Sequence, residues 1–383
     1  MASGSSAPAG EIASDLSKLR SFVDREIAPR SSAWDEQEHL EREHVDRLAE
    51  AGLLAMTVRP DAGGGGLSTL HAARAIAEVA RGCGVSARIV VDSNFGAVQI
   101  LDKFAPEAIG QRYLPQVRRG EKLIAIAITE PEAGSAANEL TTRAERDGDE
   151  IVLHGTKRWI TGAGERELYL VFARFDDVEG SAGVGAVLVE SDTPGLRIGD
   201  REPTMGLRGL REGELHFEGC RVPAENVIVE RGGFGKLMAA YNGQRVGASA
   251  VALGLAKGAM DIAVDYAKQR RQFGRPIAEY QAIQILLADM AIQHDAATML
   301  VERAAGTEDR YGFPERYETS VAKTFASEAG IFITNSAIQV LGGNGYSRHY
   351  RVERMARDAR MFTIGGGTTQ MQRLAIASKL LEE

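Results

Sequence analysis

Two stretches in the middle of the sequence carry side chains suited to binding a planar aromatic ligand. Residues 127–135 read Ala-Ile-Thr-Glu-Pro-Glu-Ala-Gly-Ser, so hydroxyls, exposed backbone amides and a glycine turn follow a predicted strand. Residues 155–162 read Gly-Thr-Lys-Arg-Trp-Ile-Thr-Gly, where the indole of Trp159 could stack on a ring while the hydroxyl of Thr161 bonds to its edge. Taken alone, either stretch also fits an ordinary helix cap, a turn or a core tryptophan.

Three further stretches could bind phosphate groups or bring a ligand against the backbone. Residues 270–275 read Arg-Arg-Gln-Phe-Gly-Arg and place cations at a predicted helix C-terminus, where a solvated cap is the default but a pyrophosphate is a good partner. Residues 339–346 and 364–373 are rich in glycine, which lets a ligand approach the backbone closely. The tetraglycine 63–66 lacks the Lys-Ser/Thr of a P-loop, so it predicts a flexible loop before a helix N-cap at Ser68 or Thr69.

The elements that must position these stretches change character twice along the chain. Apolar residues recur at helical spacing over 11–120 and again over 233–383, while 121–232 contains short β-type runs separated by glycines. The sequence Asp147-Gly148 predicts a hairpin turn within the middle block. We therefore expect an α+β protein with a mobile tail over 1–10, a helical domain, a small antiparallel sheet or barrel in place of a parallel Rossmann sheet, and a C-terminal up-and-down helical bundle.

The predicted strands and C-terminal helices can be placed within this division. The strands are expected at Leu123–Ile128, Ile151–His154, Leu168–Arg174, Val184–Val189 and Glu214–Phe217. The helices are expected near Lys236–Arg270, Tyr280–Ala305, Glu315–Leu341 and Val352–Met361.

Composition narrows the class of function. Lys and Arg total 45 against 53 Asp and Glu, a net charge of -8 that leaves no basic surface for a polyanion, so nucleic acid is not an expected partner. The two cysteines, Cys83 and Cys220, have no Cys or His neighbour at metal-ligand spacing and are expected to be reduced packing thiols, with no metal site. The first ten residues lack the features of a secretory signal, and no window approaches the roughly 18 apolar residues of a membrane span. A soluble cytoplasmic protein is expected.

The five ligand-type stretches, in this order and on helix–β–helix blocks, closely resemble the acyl-CoA dehydrogenase superfamily over about residues 16–380. The resemblance implies an acyl-CoA dehydrogenase fold in which the C-terminal bundle makes a homotetramer. It also implies an acyl-CoA substrate and an FAD wedged between the domains and a neighbouring subunit.

Several site residues follow from the resemblance by position. Flavin and thioester contacts are implied at Ile128, Thr129 and Ser135, and the isoalloxazine partners at Trp159 and Thr161. The pyrophosphate and adenosine contacts, usually made across a subunit boundary, are implied at Arg270, Phe273, Gln339 and Gly343, with the last FAD contacts at Thr368 and Gln370. Contacts with the CoA chain are implied at Tyr241, Asn242 and Arg245.

The chain departs from that family at the catalytic base. Dehydrogenation of a thioester needs a carboxylate to remove the α-proton, and loss of a general base typically costs about 10²- to 10⁴-fold in rate. Most of the family has this Glu immediately before the Gly-Thr of the terminal motif, where this chain has Gly366, and a minority have it one residue before the bundle arginine, where this chain has Gln244. Neither residue can accept the proton.

In detail the sequence is similar to the 3-sulfinopropionyl-CoA desulfinases, which keep flavin and acyl-CoA but lack the base. The shared stretches are 88–94, 129–137, 240–247 and 357–368, and the last two contain both substitutions. This resemblance implies hydrolysis of 3-sulfinopropionyl-CoA to propionyl-CoA and sulfite, with Arg88 binding the sulfinate. The alternatives are an acyl-CoA dehydrogenase with a non-standard base, and a silent FAD-binding subunit or degenerate paralogue.

Overall fold

The N-terminal block is helical, as predicted. A computed structural model describes residues 11–176 and 178–382, so the tail predicted over 1–10 lies outside the described residues. The helices are α1 (Glu11–Ser14), α2 (Leu16–Phe22), α3 (Ser31–Gln37), α4 (Arg42–Glu50), α5 (Thr69–Gly82), α6 (Gly84–Asp92), α7 (Ala97–Phe104) and α8 (Glu107–Arg118). The Ser68 side chain accepts a hydrogen bond from the His71 amide at 3.2 Å, so the N-cap lies where the sequence placed it.

The tetraglycine before this cap is a tightly bonded turn, which corrects the expectation of a flexible loop. The amides of Gly64, Gly65 and Gly66 donate to backbone carbonyls of residues 55–59 at 2.9 Å each. A Cβ on Gly64 would lie 2.2 Å from the Val58 carbonyl oxygen, which explains the need for glycine there. Because the three amides are already paired within the chain, they do not form a phosphate cradle.

The middle block is one twisted sheet with mixed pairing. Its strands are β1 (Ile124–Ala127), β2 (Arg143–Asp147), β3 (Glu150–Thr161), β4 (Leu168–Phe175), β5 (Val184–Glu190), β6 (Leu196–Arg201), β7 (Glu212–Pro223) and β8 (Val227–Val229), in the order β6-β7-β3-β2-β4-β5-β8 with β1 on β4. The predicted hairpin joins β2 to β3, with Gly148 at φ +61°. The expectation of a purely antiparallel sheet was wrong for β4, which pairs in parallel with both β1 and β2.

The C-terminal block is a helical bundle built around one long helix. It contains α9 (Phe234–Gln269), the two-residue strands β9 (Arg271–Gln272) and β10 (Arg275–Pro276), then α10 (Gln281–Ala305), α11 (Arg316–Leu341), α12 (Val352–Arg360) and α13 (Thr369–Leu381). Helix α9 packs on α5, α6, α10, α11 and α12, so one continuous hydrophobic core joins the N-terminal helices to the bundle. This packing holds α6 and α9 side by side, and both carry residues of the site.

Helix α9 also corrects one expectation about membranes. By length and composition it could cross a bilayer, with a mean hydropathy of 1.3 over its most apolar window, although no such window was expected from the sequence. That window is 78% buried inside the protein, so its apolar character is that of a core helix. Cys83 and Cys220 are free and buried, as packing thiols should be.

Candidate active site

A cavity of about 1390 Å³ lies where the three blocks meet. The N-terminal block contributes Arg88 and Asp92 from α6. The middle block contributes Ile128, Thr129, Ser135, Trp159, Thr161 and Glu212. The C-terminal block contributes Tyr241, Asn242 and Arg245 from α9, and Gly366 and Thr368 from the loop before α13. Most residues predicted from the two resemblances therefore line one space.

The loop that carries Ile128 and Thr129 is held by a buried ion pair. Lys157 Nζ lies 2.8 Å from Glu130 Oε1 and donates to the Ile128 carbonyl at 3.0 Å. Glu130 also accepts hydrogen bonds from the backbone amides of Thr141 and Thr142 at 2.6 and 2.8 Å. Burial acts to raise the pKa of Glu130, but Lys157 and these donors outweigh it and lower the pKa to about 2. Because the pair sits directly beneath the loop, the loop is rigidly positioned at the cavity.

Trp159 presents its ring to the cavity from an unusual backbone conformation. Its φ is +58°, in the left-handed region, and the residue is 52% exposed although the next residue, Ile160, is buried. A tryptophan held in this conformation with half its surface open leaves a ring face available for a flat ligand. The Thr161 hydroxyl, by contrast, already donates to Glu212 Oε1 at 2.8 Å and is left to act as an acceptor toward a ligand.

A polar corner of the cavity is formed by Arg88 and Asp92, and Gln244 holds Asp92 in place there. Arg88 Nη1 and Asp92 Oδ1 lie 2.7 Å apart one helical turn along α6, and Gln244 Nε2 on α9 donates to the same Oδ1 at 2.9 Å. All three side chains are buried, yet Arg88 Nε, Asp92 Oδ2 and Gln244 Oε1 have no hydrogen-bond partner among the described residues. Unpaired buried polar atoms of this kind are costly, so a polar ligand at the corner would be stabilised.

Gln244 itself does not line the cavity. It acts at the corner as the hydrogen-bond partner of Asp92. We expect Gln244→Glu to lower the free energy of unfolding by about 1–3 kcal/mol at pH 8, because it would place a second buried carboxylate against Asp92. The decrease in the free energy of unfolding should be smaller at pH 5, where one of the two carboxyls can hold a proton. Urea unfolding at both pH values measures this, and Gln244→Met, which adds no charge, should show no such pH dependence.

Gly366, the position at which the resemblance implies a catalytic base, leaves open space at the cavity. A Cβ built on it has only the Arg245 Cγ within reach, at 4.0 Å, although its φ of +73° disfavours any other residue. Arg245 Nε donates to the Gly366 carbonyl at 3.0 Å, and Lys323 Nζ donates to the Gly367 carbonyl at 2.6 Å. The loop is therefore fixed by the half-buried Arg245 and the buried Lys323, and its glycine faces the cavity without a side chain.

Glu212 is a residue of the cavity that the sequence did not single out. It begins β7, directly across the ladder from Thr161, whereas the strand was predicted to begin at Glu214. Burial raises the pKa of Glu212 to about 7 despite the Thr161 hydroxyl and Arg88, which act to lower it. The alternation of 212, 214 and 216 on one strand face could have revealed the extension, but the glycine at 213 resembled a turn.

Five of the residues predicted to contact FAD lie away from this cavity. Arg270, Phe273 and Gly343 line a second cavity of about 470 Å³ at the start of α10 and the end of α11. The Phe273 side chain is 95% exposed. Gln339 and Gln370 are exposed and line neither cavity. Within one chain these five residues are not brought to Trp159, so their assignment to FAD stays a prediction about another subunit's site.

Comparison with known proteins matches the whole described architecture. Models of the acyl-CoA dehydrogenase N-terminal, middle and C-terminal domains match residues 16–121, 125–220 and 231–381. The 3-sulfinopropanoyl-CoA desulfinase of Paraburkholderia xenovorans (strain LB400) is 46% identical over 360 residues, 93% of this chain and 92% of the relative. The structure of butyryl-CoA dehydrogenase from Megasphaera elsdenii has a TM-score of 0.92 at 34% identity, covering 97% of this chain and 98% of the other. A glutaryl-CoA dehydrogenase of Mycobacterium smegmatis in complex with FADH2 has a TM-score of 0.90 at 26% identity, covering 97% and 94%.

Proposed function

The chain belongs to the acyl-CoA dehydrogenase family, and we propose that it binds FAD and hydrolytically removes the sulfino group of 3-sulfinopropionyl-CoA, giving propionyl-CoA and sulfite. The observation that carries this proposal is the polar corner at Arg88, which faces the same cavity as the side-chain-free Gly366. A site with an anion anchor and no base at the family's position suits a thioester with an anionic β-substituent. It does not suit removal of an α-proton.

Arg88 has the features of an anchor for a two-oxygen anion. The residue is 8% exposed, its Nε is unpaired among the described residues, and Asp92 occupies only one side of the guanidinium through Nη1. A planar guanidinium can donate two parallel hydrogen bonds to a sulfinate, and such charge-assisted bonds are about twice as strong as neutral ones. Asp92, held in turn by Gln244, fixes the direction in which the guanidinium presents its free edge.

The middle block fits a flavin. The half-exposed indole of Trp159 and the loop at Ile128 and Thr129, which the buried Glu130 ion pair holds, together offer a flat apolar wall edged by polar groups. Ile128, Thr129 and Trp159 would hold the flavin of FAD, which would supply an electron-accepting ring at this wall. The chain's own residues then act on the substrate: Arg88 orients the sulfinate, the residues of α9 receive the CoA arm, and Gly366 leaves the α-carbon without a base.

One alternative has support from a specific observation. Asp92 and Glu212 bring carboxyls into the cavity, so a dehydrogenase with a base at a non-standard position would use one of them. The likeness to a butyryl-CoA dehydrogenase structure fits this alternative. Asp92 is already paired with Arg88, which leaves Glu212 as the carboxyl to test.

Sulfite release distinguishes these functions. Purified protein with its bound flavin should release sulfite from 3-sulfinopropionyl-CoA at a steady rate and leave the flavin oxidised when butyryl-CoA is added without air. Bleaching of the flavin by butyryl-CoA without sulfite formation would establish the dehydrogenase in its place. Activity of the protein alone, without a partner chain, would exclude a silent subunit.

The proposal includes a homotetramer in the cytoplasm. Helix α10 exposes an apolar residue at every seventh position, Ile285, Ile292 and Met299, each more than half exposed. Large apolar residues repeated along one helix face are typical of a face covered by another chain. Light scattering coupled to gel filtration measures the assembly, and a mass near four times 41.2 kDa is expected.

A further inference from the structure

Among the described residues, Glu212 is a carboxyl of the cavity that lies close to the polar corner and takes part in no ion pair. Glu212 Oε1 accepts the Thr161 hydroxyl at 2.8 Å, and no cation among the described residues lies within ion-pair distance of it. The charged groups that act on it are Arg88 and Asp92 from α6 and Arg166 from the turn after β3. Its sequence neighbour Arg211 turns away and donates to the Gly199 carbonyl at 2.6 Å.

Other groups around the cavity are less suited to donating a proton. Asp92 is ion-paired with Arg88, so a proton on it would break the corner that holds the anion. Asp309 accepts hydrogen bonds from the amides of Tyr311 and Phe313, so its carboxylate is engaged within its own turn. Burial raises the pKa of the Tyr241 phenol above its already high ordinary value. Among these groups, Glu212 is the carboxyl that lines the cavity near the corner and is held by a neutral hydroxyl instead of a cation.

We propose that Glu212 is the general acid that delivers a proton to the β-carbon as the carbon–sulfur bond breaks. This inference rests on the proposed desulfination. It assigns to the β7 strand a catalytic role that neither resemblance implied, because Glu212 stands outside every stretch that carries those resemblances. Thr161, on the facing strand, then serves as the positioning residue that fixes the carboxyl through its hydroxyl.

The step balances without an added oxidant or reductant. The carbon–sulfur bond breaks with its electron pair remaining on the β-carbon, and the Glu212 proton forms the new C–H bond of propionyl-CoA. Sulfur leaves as sulfur dioxide, and addition of water gives hydrogen sulfite and a proton that restores the carboxylic acid. Carbon gains the electron pair that sulfur gives up, so the overall reaction consumes only water.

The electrostatics of the corner favour a protonated acid during turnover. Burial already raises the pKa of Glu212 to about 7, while Arg88 and Arg166 act to lower it. A sulfinate bound at Arg88 cancels part of that cation's effect and adds a negative charge, so the pKa in the complex should rise further. A general acid works best when its pKa lies near the working pH.

The test compares three variants of the flavin-loaded enzyme by sulfite release. Glu212→Gln keeps the acceptor for Thr161 but has no proton to give, and its kcat should fall about 10²- to 10⁴-fold with little change in KM or bound flavin. Glu212→Asp keeps the carboxylic acid on a side chain shorter by one methylene, so it should retain part of the wild-type kcat. The matched control is Glu214→Gln, two residues further along β7, whose carboxylate contacts Arg158 and His216 and lies outside the cavity.

The pH profile separates a catalytic role from a structural one. In the wild type and in Glu214→Gln, kcat should fall as pH rises through the pKa of Glu212, which gives the pH profile a descending limb. The residual rate of Glu212→Gln should lack that limb. In Glu212→Asp the limb should lie at a different pH. Near-normal kcat in Glu212→Gln, or an unmoved limb in both Glu212 variants, overturns the assignment while leaving desulfination intact. A wild-type enzyme that releases no sulfite overturns desulfination and the assignment together.

Discussion

Arg88→Ala is expected to lower kcat/KM for sulfite release by about 10³-fold or more while the purified protein keeps its flavin. The variant removes the buried cation that neutralises the substrate anion and leaves Asp92 as an unpaired buried carboxylate, which would repel the sulfinate. Both effects act on the same group of the substrate, so they reinforce each other. Flavin absorbance should be retained because Arg88 lies on α6, apart from Trp159 and the loop at Thr129.

Two further variants make this result specific. Arg88→Lys keeps the charge but not the paired donors, so it should recover only a small part of the lost rate if the sulfinate is held by a two-point contact. Arg74→Ala is the matched control, since Arg74 lies on the neighbouring α5 and pairs with Glu302 at the surface. Turnover in Arg88→Ala within a few-fold of the wild type would remove the anchor from the proposed mechanism.

The sequence predicted the fold well because its signals were local and repeated. Helical periodicity and the Asp147-Gly148 turn placed the three blocks. Pairing between distant strands is not a local property, and the parallel contacts of β4 were missed for that reason. The start of β7 was missed because Arg211-Glu212-Gly213 lacks the apolar residues that mark a strand, although its pairing with β3 extends the strand.

The same difference between local signals and distant contacts applies to the residues of the candidate site. Residues in compact motifs, such as Thr129 and Trp159, lie at the cavity, and their contacts with flavin stay a prediction. Glu212 was missed because its role depends on a contact with Thr161, 51 residues away in the chain. The contacts expected at Arg270 and Phe273 lie on a different face, because a sequence motif does not say which copy of the chain its residues serve.

The polar corner also explains why Gln244 and Gly366, the two positions at which the resemblance implies a base, differ in whether they could accommodate a carboxylate. Gln244 is buried against Asp92, so a carboxylate there would meet a like charge at hydrogen-bond distance. Gly366 faces the cavity, with Arg245 as its nearest neighbour, so a carboxylate there would meet a cation and remain ionised. Of the two positions, Gly366 is therefore the one at which a base could be restored.

Gly366→Glu is accordingly expected to give the protein a dehydrogenase activity that the proposed function does not include. Anaerobic butyryl-CoA should bleach the flavin of the variant about 10²- to 10⁴-fold faster than that of the wild type, the range that a general base supplies. Sulfite release should fall, since the added carboxylate repels the sulfinate. The φ of +73° adds a strain of about 1–2 kcal/mol, which lowers stability without closing the cavity because nothing nearer than the Arg245 Cγ at 4.0 Å opposes the new Cβ.

Gly366→Gln separates the base from the bulk of the new side chain. It carries the same backbone strain and nearly the same volume, but its amide cannot take a proton, so its flavin should stay oxidised with butyryl-CoA. Gly367→Glu should not substitute, because a Cβ there would lie 2.7 Å from Gln372 Nε2 and force that side chain to move, whereas the Gly366 Cβ meets open space. If Gly366→Glu folds, retains flavin and is still not reduced by butyryl-CoA, then residue 366 does not face the α-carbon. In that case the missing base could no longer explain the choice of chemistry.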